Sequence, residues 1–222
     1  MQVQQTTWNR AARLTGETFR QIRKKDTIVS EGWDEYAEGW DSNKDVIGYS
    51  DKAFSSLFDV VNLNGLRVLD FGCGTGLLTE KISPLAKEIV ALDSSAKMIS
   101  ILLAKRLPNV MIVQQELSKH LISENKLFSE KFDLIVASSV CSFLPDFEST
   151  LARLKLLLAS GGLFVQWDWL KTGDSNDFGL SREKIITTYG NVGLKPVFLE
   201  KVFSVDSPQG NMPVLMGIAK NA

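Results

Sequence analysis

From Leu66 onward the chain alternates short apolar runs with longer amphipathic ones, and this alternation limits the folds open to it. The apolar runs are "LRVLDF" (66–71), "EIVALD" (88–93), "NVMIVQQ" (109–115), "KFDLIVASS" (131–139) and "GGLFVQWD" (161–168). Helix candidates at 76–83, 95–106, 118–128 and 146–159 lie between them. Strands that are apolar on both sides must be buried on both sides, which predicts a parallel sheet covered by helices on each face. The end of the chain breaks the rhythm: "PVFLEKVFSV" (196–205) and "MPVLMGIAKN" (212–221) are joined by "DSPQG", a turn-rich link of hairpin length. A closing antiparallel strand on an otherwise parallel sheet is therefore expected.

Residues before about 60 read as helical, in "RLTGETFRQIRKKDTIV", "WDEYAEGWD" and "YSDKAFSSLFDVV", where apolar residues recur three and four apart. No repeat or linker divides the 222 residues, so the expectation is one domain (1–222), with a helical cap over 1–60 and a sheet core over 61–222. A net charge of −1 gives no electrostatic reason to expect nucleic acid or a membrane surface as partner. The local excess of Arg10, Arg13, Arg20, Arg23, Lys24 and Lys25 reads as a solvated helix face. Two cysteines, Cys73 and Cys141, and a single histidine, His120, leave no disulfide scaffold and no Cys/His zinc site, so no metal is expected. The start lacks a signal pattern and no apolar run has membrane-spanning length; the expected location is cytoplasmic.

The chemistry concentrates in "VLDFGCGTGLLT" (68–79), where Gly72, Gly74 and Gly76 follow a strand and Asp70 precedes them. Glycine costs backbone entropy, and a cluster of it at a strand end fits close approach of backbone to a ligand. In a parallel α/β sheet that ligand lies beyond the carboxyl ends of the strands. A dinucleotide turn would read GxGxxG, but its third glycine would fall at Leu77; the spacing here is GxGxG. Asp70 would repel a pyrophosphate and attract an ammonium. Asp93 ends the second strand, where a carboxylate can accept from a ribose diol or, beside Ser94 and Ser95, cap the next helix. Met98, one turn on, can lie along a flat adenine face or pack in the core.

With these motifs in order, residues 30–222 resemble the class I S-adenosylmethionine-dependent methyltransferases. The matches are "VLDFGCGTG", "ALDSSAKMI", "NVMIVQQEL", "FDLIVASSVCSFLPD" and "LLASGGLFV", with "WDEYAEGWD" similar to the segment that lids the cofactor in the small-molecule branch. The resemblance implies a Rossmann-like, doubly wound α/β fold. Its seven strands would run in the order 3-2-1-4-5-7-6 with strand 7 antiparallel, helices on both faces and an N-terminal helical lid. It also implies S-adenosyl-L-methionine as cofactor and S-adenosyl-L-homocysteine as product. The cofactor would meet the backbone of Gly72, Cys73 and Gly74 at its methionyl part, with Asp70 beneath the ammonium, Asp93 at the ribose and Met98 on adenine; Gly76 and Ser94 join the expected cofactor-binding residues. Glu116 would read the adenine amino group, with Gln115 competing for that role and Leu117 supplying a backbone amide. Ser138 would lie beside the methionyl group, and Trp40 would wall off the sulfonium.

Methyl transfer from a sulfonium mainly needs alignment and exclusion of water. The histidine that follows the fourth strand in many relatives is replaced here by Ser142 and Phe143, so no catalytic residue is assigned. His120 reads as solvent-facing, Asp146 as a helix cap and Cys141 as a packing residue. A [DN]PP[YF] motif is absent, which disfavours acceptors such as bases or glutamine amides. Trp167, Asp168 and Trp169 follow the fifth strand, where they can form an apolar, cation-attracting wall or divide between core and surface; Tyr49 is a further candidate. The expected function is methyl transfer to a small-molecule acceptor by a monomer or homodimer. The alternatives are a cofactor-binding regulatory or partner protein, a protein or RNA methyltransferase and, as a minor option, a nicotinamide oxidoreductase.

Overall fold

A computed structural model describes residues 29–171, 179–207 and 210–222. Its strands are β1 (Arg67–Phe71), β2 (Glu88–Asp93), β3 (Val110–Gln114), β4 (Phe132–Ser138), β5 (Leu158–Trp169), β6 (Leu194–Ser207) and β7 (Gly210–Asn221). They form one sheet in the order β3-β2-β1-β4-β5-β7-β6. The pairs among β1 to β5 are parallel, and β7 runs antiparallel between β5 and β6. This is the order the sequence implied.

Alternate residues of a strand face opposite sides, and the central strands carry apolar residues on both. Leu69, Ile135 and Phe164 face one core, covered by helix α6 (Phe147–Leu157) through Leu151 and Leu154. Val68, Leu134, Val136 and Val165 face the other, covered by α2 (Lys44–Phe58) and α3 (Leu77–Ile82). The remaining helices are α1 (Val29–Asp34), α4 (Ala96–Ala104), α5 (Lys119–Glu124) and α7 (Arg182–Asn191). Side-chain caps from Asn43, Ser95, Ser118, Asp146 and Ser181 satisfy first-turn N–H groups and fix where α2, α4, α5, α6 and α7 begin.

Several local expectations change. "WDEYAEGWD" is helical only to Asp34; turns follow, Gly39 takes φ 81°, and a short 3-10 turn forms at Trp40–Ser42. The 118–128 candidate breaks at Asn125, whose side chain caps a second piece, Lys126–Phe128, by accepting from Leu127 N–H at 3.0 Å. Strand β5 begins at Leu158 through a register shift and ends one residue later than expected. Helix α7 was not expected: it buries only Ile185, Thr188 and Tyr189, too weak a stripe to read. The helix expected over 13–29 falls, except for its last residue, outside the described residues, as do the basic residues from Arg10 to Lys25, residues 172–178 and the middle of "DSPQG".

Candidate active site

The tips of β1, β2, β4 and β5 open on one side of the sheet, and the glycine turn sits at the first of them. Gly72 has φ 70°, and a Cβ there would come within 2.5 Å of a Val140 methyl. That tightness lets Gly72 and Cys73 donate their N–H groups to the Leu92 carbonyl at 2.8 and 3.2 Å, tying the turn to β2. At Gly74 (φ 55°) the nearest atom to a Cβ would be the Met98 sulfur at 4.0 Å, so this side of the turn is open.

Two carboxylates flank the turn. Asp70 is buried and accepts the Thr79 hydroxyl at 2.6 Å; burial pushes its pKa up to about 7, with the charge of Asp93 adding to the rise and the Thr79 bond opposing it. Asp93 accepts Gly74 N–H at 2.9 Å on one oxygen and Ser95 N–H at 2.8 Å on the other, and burial also raises its pKa. The helix cap is Ser95, not Asp93: Ser95 Oγ accepts from Met98 N–H at 3.2 Å. Asp93 instead joins the glycine turn to the turn before α4, leaving lone pairs on both oxygens for a ligand.

A cavity of about 450 Å³ lies over these turns, within the range of small-molecule sites. Its wall brings together Trp40, Asp70, Gly72, Cys73, Gly74, Asp93, Ser94, Met98, Glu116, Leu117 and Ser138; Gln115 lies there as well. Gly76 does not. It caps α3 with φ 82°, and a Cβ would sit 2.3 Å from Leu102 Cδ1, so glycine is needed there for helix packing.

The tryptophans expected after the fifth strand, Trp167 and Trp169, lie within β5, and they separate. Trp169 lines the cavity, its Nε1 donating to Ser139 Oγ at 3.2 Å. Trp167 is fully buried, its Nε1 donating to Ser56 Oγ at 2.9 Å, and it contributes nothing to the wall. Asp168 points to the opposite face and is also fully buried. Tyr49 lines the cavity, donating to the Trp167 carbonyl at 3.2 Å and packing on Trp169 and Phe203 with ring centroids 5.3 and 5.2 Å away. Burial pushes the thiols of Cys73 and Cys141 well up, which argues against either as a nucleophile. His120 is exposed, and Asp146 caps α6 at 2.9 Å from Ser149 N.

The segment before α2 closes one side of the cavity. Trp33 meets Phe143 edge-on at 5.1 Å and Trp40 at 6.2 Å. Asp34 accepts from Ser95 Oγ and from Lys97 N–H at 3.1 Å; Asp41 accepts from Thr75 Oγ1 and pairs with Lys105 at 2.9 Å. Sequence reading missed Trp33, Asp45, Val46, Thr75 and Ser139 in the wall, and the stripe Ser149, Thr150 and Arg153 on α6. That stripe follows the capping Asp146 at helical spacing and was legible; the left-handed Ser139 (φ 58°) was not. Among the described residues no cluster of His, Cys, Asp or Glu is arranged to hold a metal, and no helix is long and apolar enough to cross a membrane.

Residues 69–164 match a family model described as a methyltransferase domain. The chain is 31% identical over 141 residues to an uncharacterized methyltransferase of Schizosaccharomyces pombe, covering 57% of this chain and 49% of that protein. It is 33% identical over 103 residues to a ubiquinone biosynthesis O-methyltransferase of Bradyrhizobium sp., covering 46% and 40%. The chain thus spans about half or less of the length of these curated relatives. Among solved structures, the N-methyltransferase NodS of Bradyrhizobium japonicum in complex with S-adenosyl-L-homocysteine superposes with TM-score 0.63 at 20% identity, covering 85% of this chain and 98% of that one. A S-adenosylmethionine-dependent methyltransferase of Aquifex aeolicus does so with TM-score 0.63 at 18% identity, covering 81% and 94%. At these identities the likeness is one of fold.

Proposed function

We propose, for a chain that carries a class I S-adenosylmethionine-dependent methyltransferase domain, that it transfers a methyl group from S-adenosyl-L-methionine to a small-molecule acceptor. The observation that carries this reading is the pair of carboxylates at the glycine turn. Asp70 on the cavity floor and Asp93 at the tip of β2 make this turn unfit for a pyrophosphate and fit for a ligand with an ammonium and a ribose. The residues present fit that cofactor. The open side of Gly74 would leave room for its methionyl part, Asp70 would face its ammonium, and Asp93 would accept its ribose hydroxyls. Met98 and Leu117 offer apolar surface to adenine, whose amino group has Glu116 or Gln115 to pair with.

When bound, S-adenosyl-L-methionine supplies a methyl group already activated by a sulfonium. The work left to the chain is to align the acceptor and keep water out. Trp40, Phe143 and Trp169 provide an apolar wall for this, while the backbone bonds from Gly72 to Leu92 and from Ser139 to Trp167 tie the strand-tip turns to their neighbours.

Titration calorimetry tests the reading. S-adenosyl-L-homocysteine should bind and NAD should not. Asp93→Ala should weaken the binding at least roughly tenfold, because hydrogen bonds to a charged group contribute about 1.5–3 kcal/mol each. Equal or tighter binding of NAD would reject the cofactor, and unchanged affinity in the variant would reject the ribose assignment.

A further inference from the structure

The end of the cavity nearest the lid is aromatic. Trp33 and Trp40 come from the segment before α2, Tyr49 from α2 itself, Phe143 from the turn after β4 and Trp169 from the tip of β5. Asp45, one helical turn before Tyr49, also lines the cavity, and its carboxylate has no hydrogen-bond or ion-pair partner among the described residues. The other acids in the wall are Asp70, Asp93, Glu116 and Asp146. Against these five the described lining residues include one cation, Arg153, on α6, a helix that supplies none of the aromatic walls. Even with Asp70 partly protonated near neutral pH, the lining acids outnumber the one cation, so the potential over the cavity favours positive charge.

Apart from the weakly basic Asp45 carboxylate, groups able to take a proton from an acceptor are scarce at this end. No histidine or lysine lines the cavity among the described residues. Burial pushes the Tyr49 hydroxyl well above its usual range, and it already donates to the Trp167 carbonyl. The Cys73 thiol is likewise pushed up by burial. Asp70 lies at the tip of β1 under the glycine turn and is held by Thr79.

We infer that the acceptor is an amine, which gives up any ammonium proton to water before the step, reacts through an uncharged nitrogen and leaves as an ammonium against Asp45 and the aromatic wall. This rests on the methyl-transfer reading above. The nitrogen lone pair forms the new N–C bond while the C–S bond breaks with its electron pair going to sulfur, so the positive charge passes from sulfur to nitrogen. If the nitrogen carried hydrogen, the product ammonium loses a proton to water after the transfer. No protein base takes part. Aromatic faces attract a cation, so the wall suits both the sulfonium before the step and the ammonium after it. A phenol acceptor would need deprotonation, and a phenolate or carboxylate would enter an acidic cavity against like charge.

The test separates this inference from the one beneath it. Calorimetry with S-adenosyl-L-homocysteine first establishes the cofactor site. The loaded protein is then titrated with benzyltrimethylammonium and with benzoate, followed by tryptophan fluorescence. The ammonium should bind at least tenfold more tightly than benzoate, and Asp45→Asn should weaken it about threefold or more while leaving S-adenosyl-L-homocysteine affinity unchanged. Benzoate binding as tightly, no detectable ammonium binding to the loaded protein, or no effect of Asp45→Asn would each overturn the amine assignment with the cofactor site intact. Failure of S-adenosyl-L-homocysteine to bind would instead remove the methyl-transfer reading, and this inference with it.

Discussion

The carboxylate of Asp168 accepts the backbone N–H of Ser142 at 2.9 Å, joining the end of β5 to the turn that follows β4. Its other oxygen accepts from Gln166 Nε2 at 3.0 Å, and Gln166 Oε1 accepts the Tyr189 hydroxyl at 3.0 Å. This buried chain runs beneath the turn that presents Ser139, Val140 and Phe143 to the cavity.

Asp168→Ala would leave the Ser142 N–H and one Gln166 N–H without acceptors in a dry core. Each orphaned donor costs about 1–3 kcal/mol, so the variant should lose roughly 2–6 kcal/mol in chemical denaturation. Asp168→Asn keeps one acceptor for Ser142 and should cost less than the alanine variant. Equal losses in the two variants would mean that the Ser142 bond contributes nothing.

Burial raises both Asp70 and Asp168 to about 7, while an unfolded aspartate titrates near 3.9. Between those values the folded protein keeps protons that the unfolded chain releases. The contribution of these two groups is therefore fully present below about pH 4, is lost as pH rises, and is flat above about 7. Urea midpoints should be higher near about pH 5.5 than near about pH 8, and Asp70→Asn or Asp168→Asn should flatten the difference. A difference unchanged in both variants would show that other groups set it.

Much of this architecture was legible because the central strands alternate nothing: Val68 to Asp70 and Leu134 to Ala137 are buried on both faces and can only be interior strands. The site was legible where chemistry and position coincide, as at Asp70, Gly72 and Asp93. It was not legible where depth decides. Trp167 and Trp169 point to the same side, two residues apart, but β5 continues to Trp169, so Trp167 lies about 6.6 Å below the mouth and in the core. Nor could spacing reveal that the helix in "WDEYAEGWD" ends at Asp34, or that Gly76 answers to Leu102 rather than to a ligand.

The two glycines should respond differently to alanine. Gly76→Ala puts a methyl onto Leu102 at a left-handed φ, and overpacking with backbone strain should cost roughly 2–4 kcal/mol of stability. The affinity of the surviving folded protein for S-adenosyl-L-homocysteine should change less than about threefold, a shift below roughly 0.7 kcal/mol. Gly72→Ala pushes on Val140 in the cavity wall and should weaken both stability and affinity. Thermal unfolding and calorimetry on both variants separate the cases; a large affinity loss in Gly76→Ala would return that glycine to the site.

The last expectation concerns closure. Asp34 and Asp41 fasten the segment before α2 to Ser95 and Lys97 on one side and to Thr75 and Lys105 on the other. These partners belong to the two turns that Asp93 bridges, or pack beside them. These contacts are few and only part-buried, so the segment should open without a ligand and admit one. A cofactor beneath it would add apolar contact with Trp40 and bring the turns into their closed positions. Hydrogen exchange over residues 31–50 should therefore slow on adding S-adenosyl-L-homocysteine, while the sheet strands stay unchanged. Trp40→Ala should abolish much of that slowing and weaken retention about tenfold, a loss near 1.4 kcal/mol, with little effect on thermal stability because Trp40 is only half-buried. Equal protection of 31–50 with and without the ligand would make this segment ordinary packing and remove Trp40 from the site.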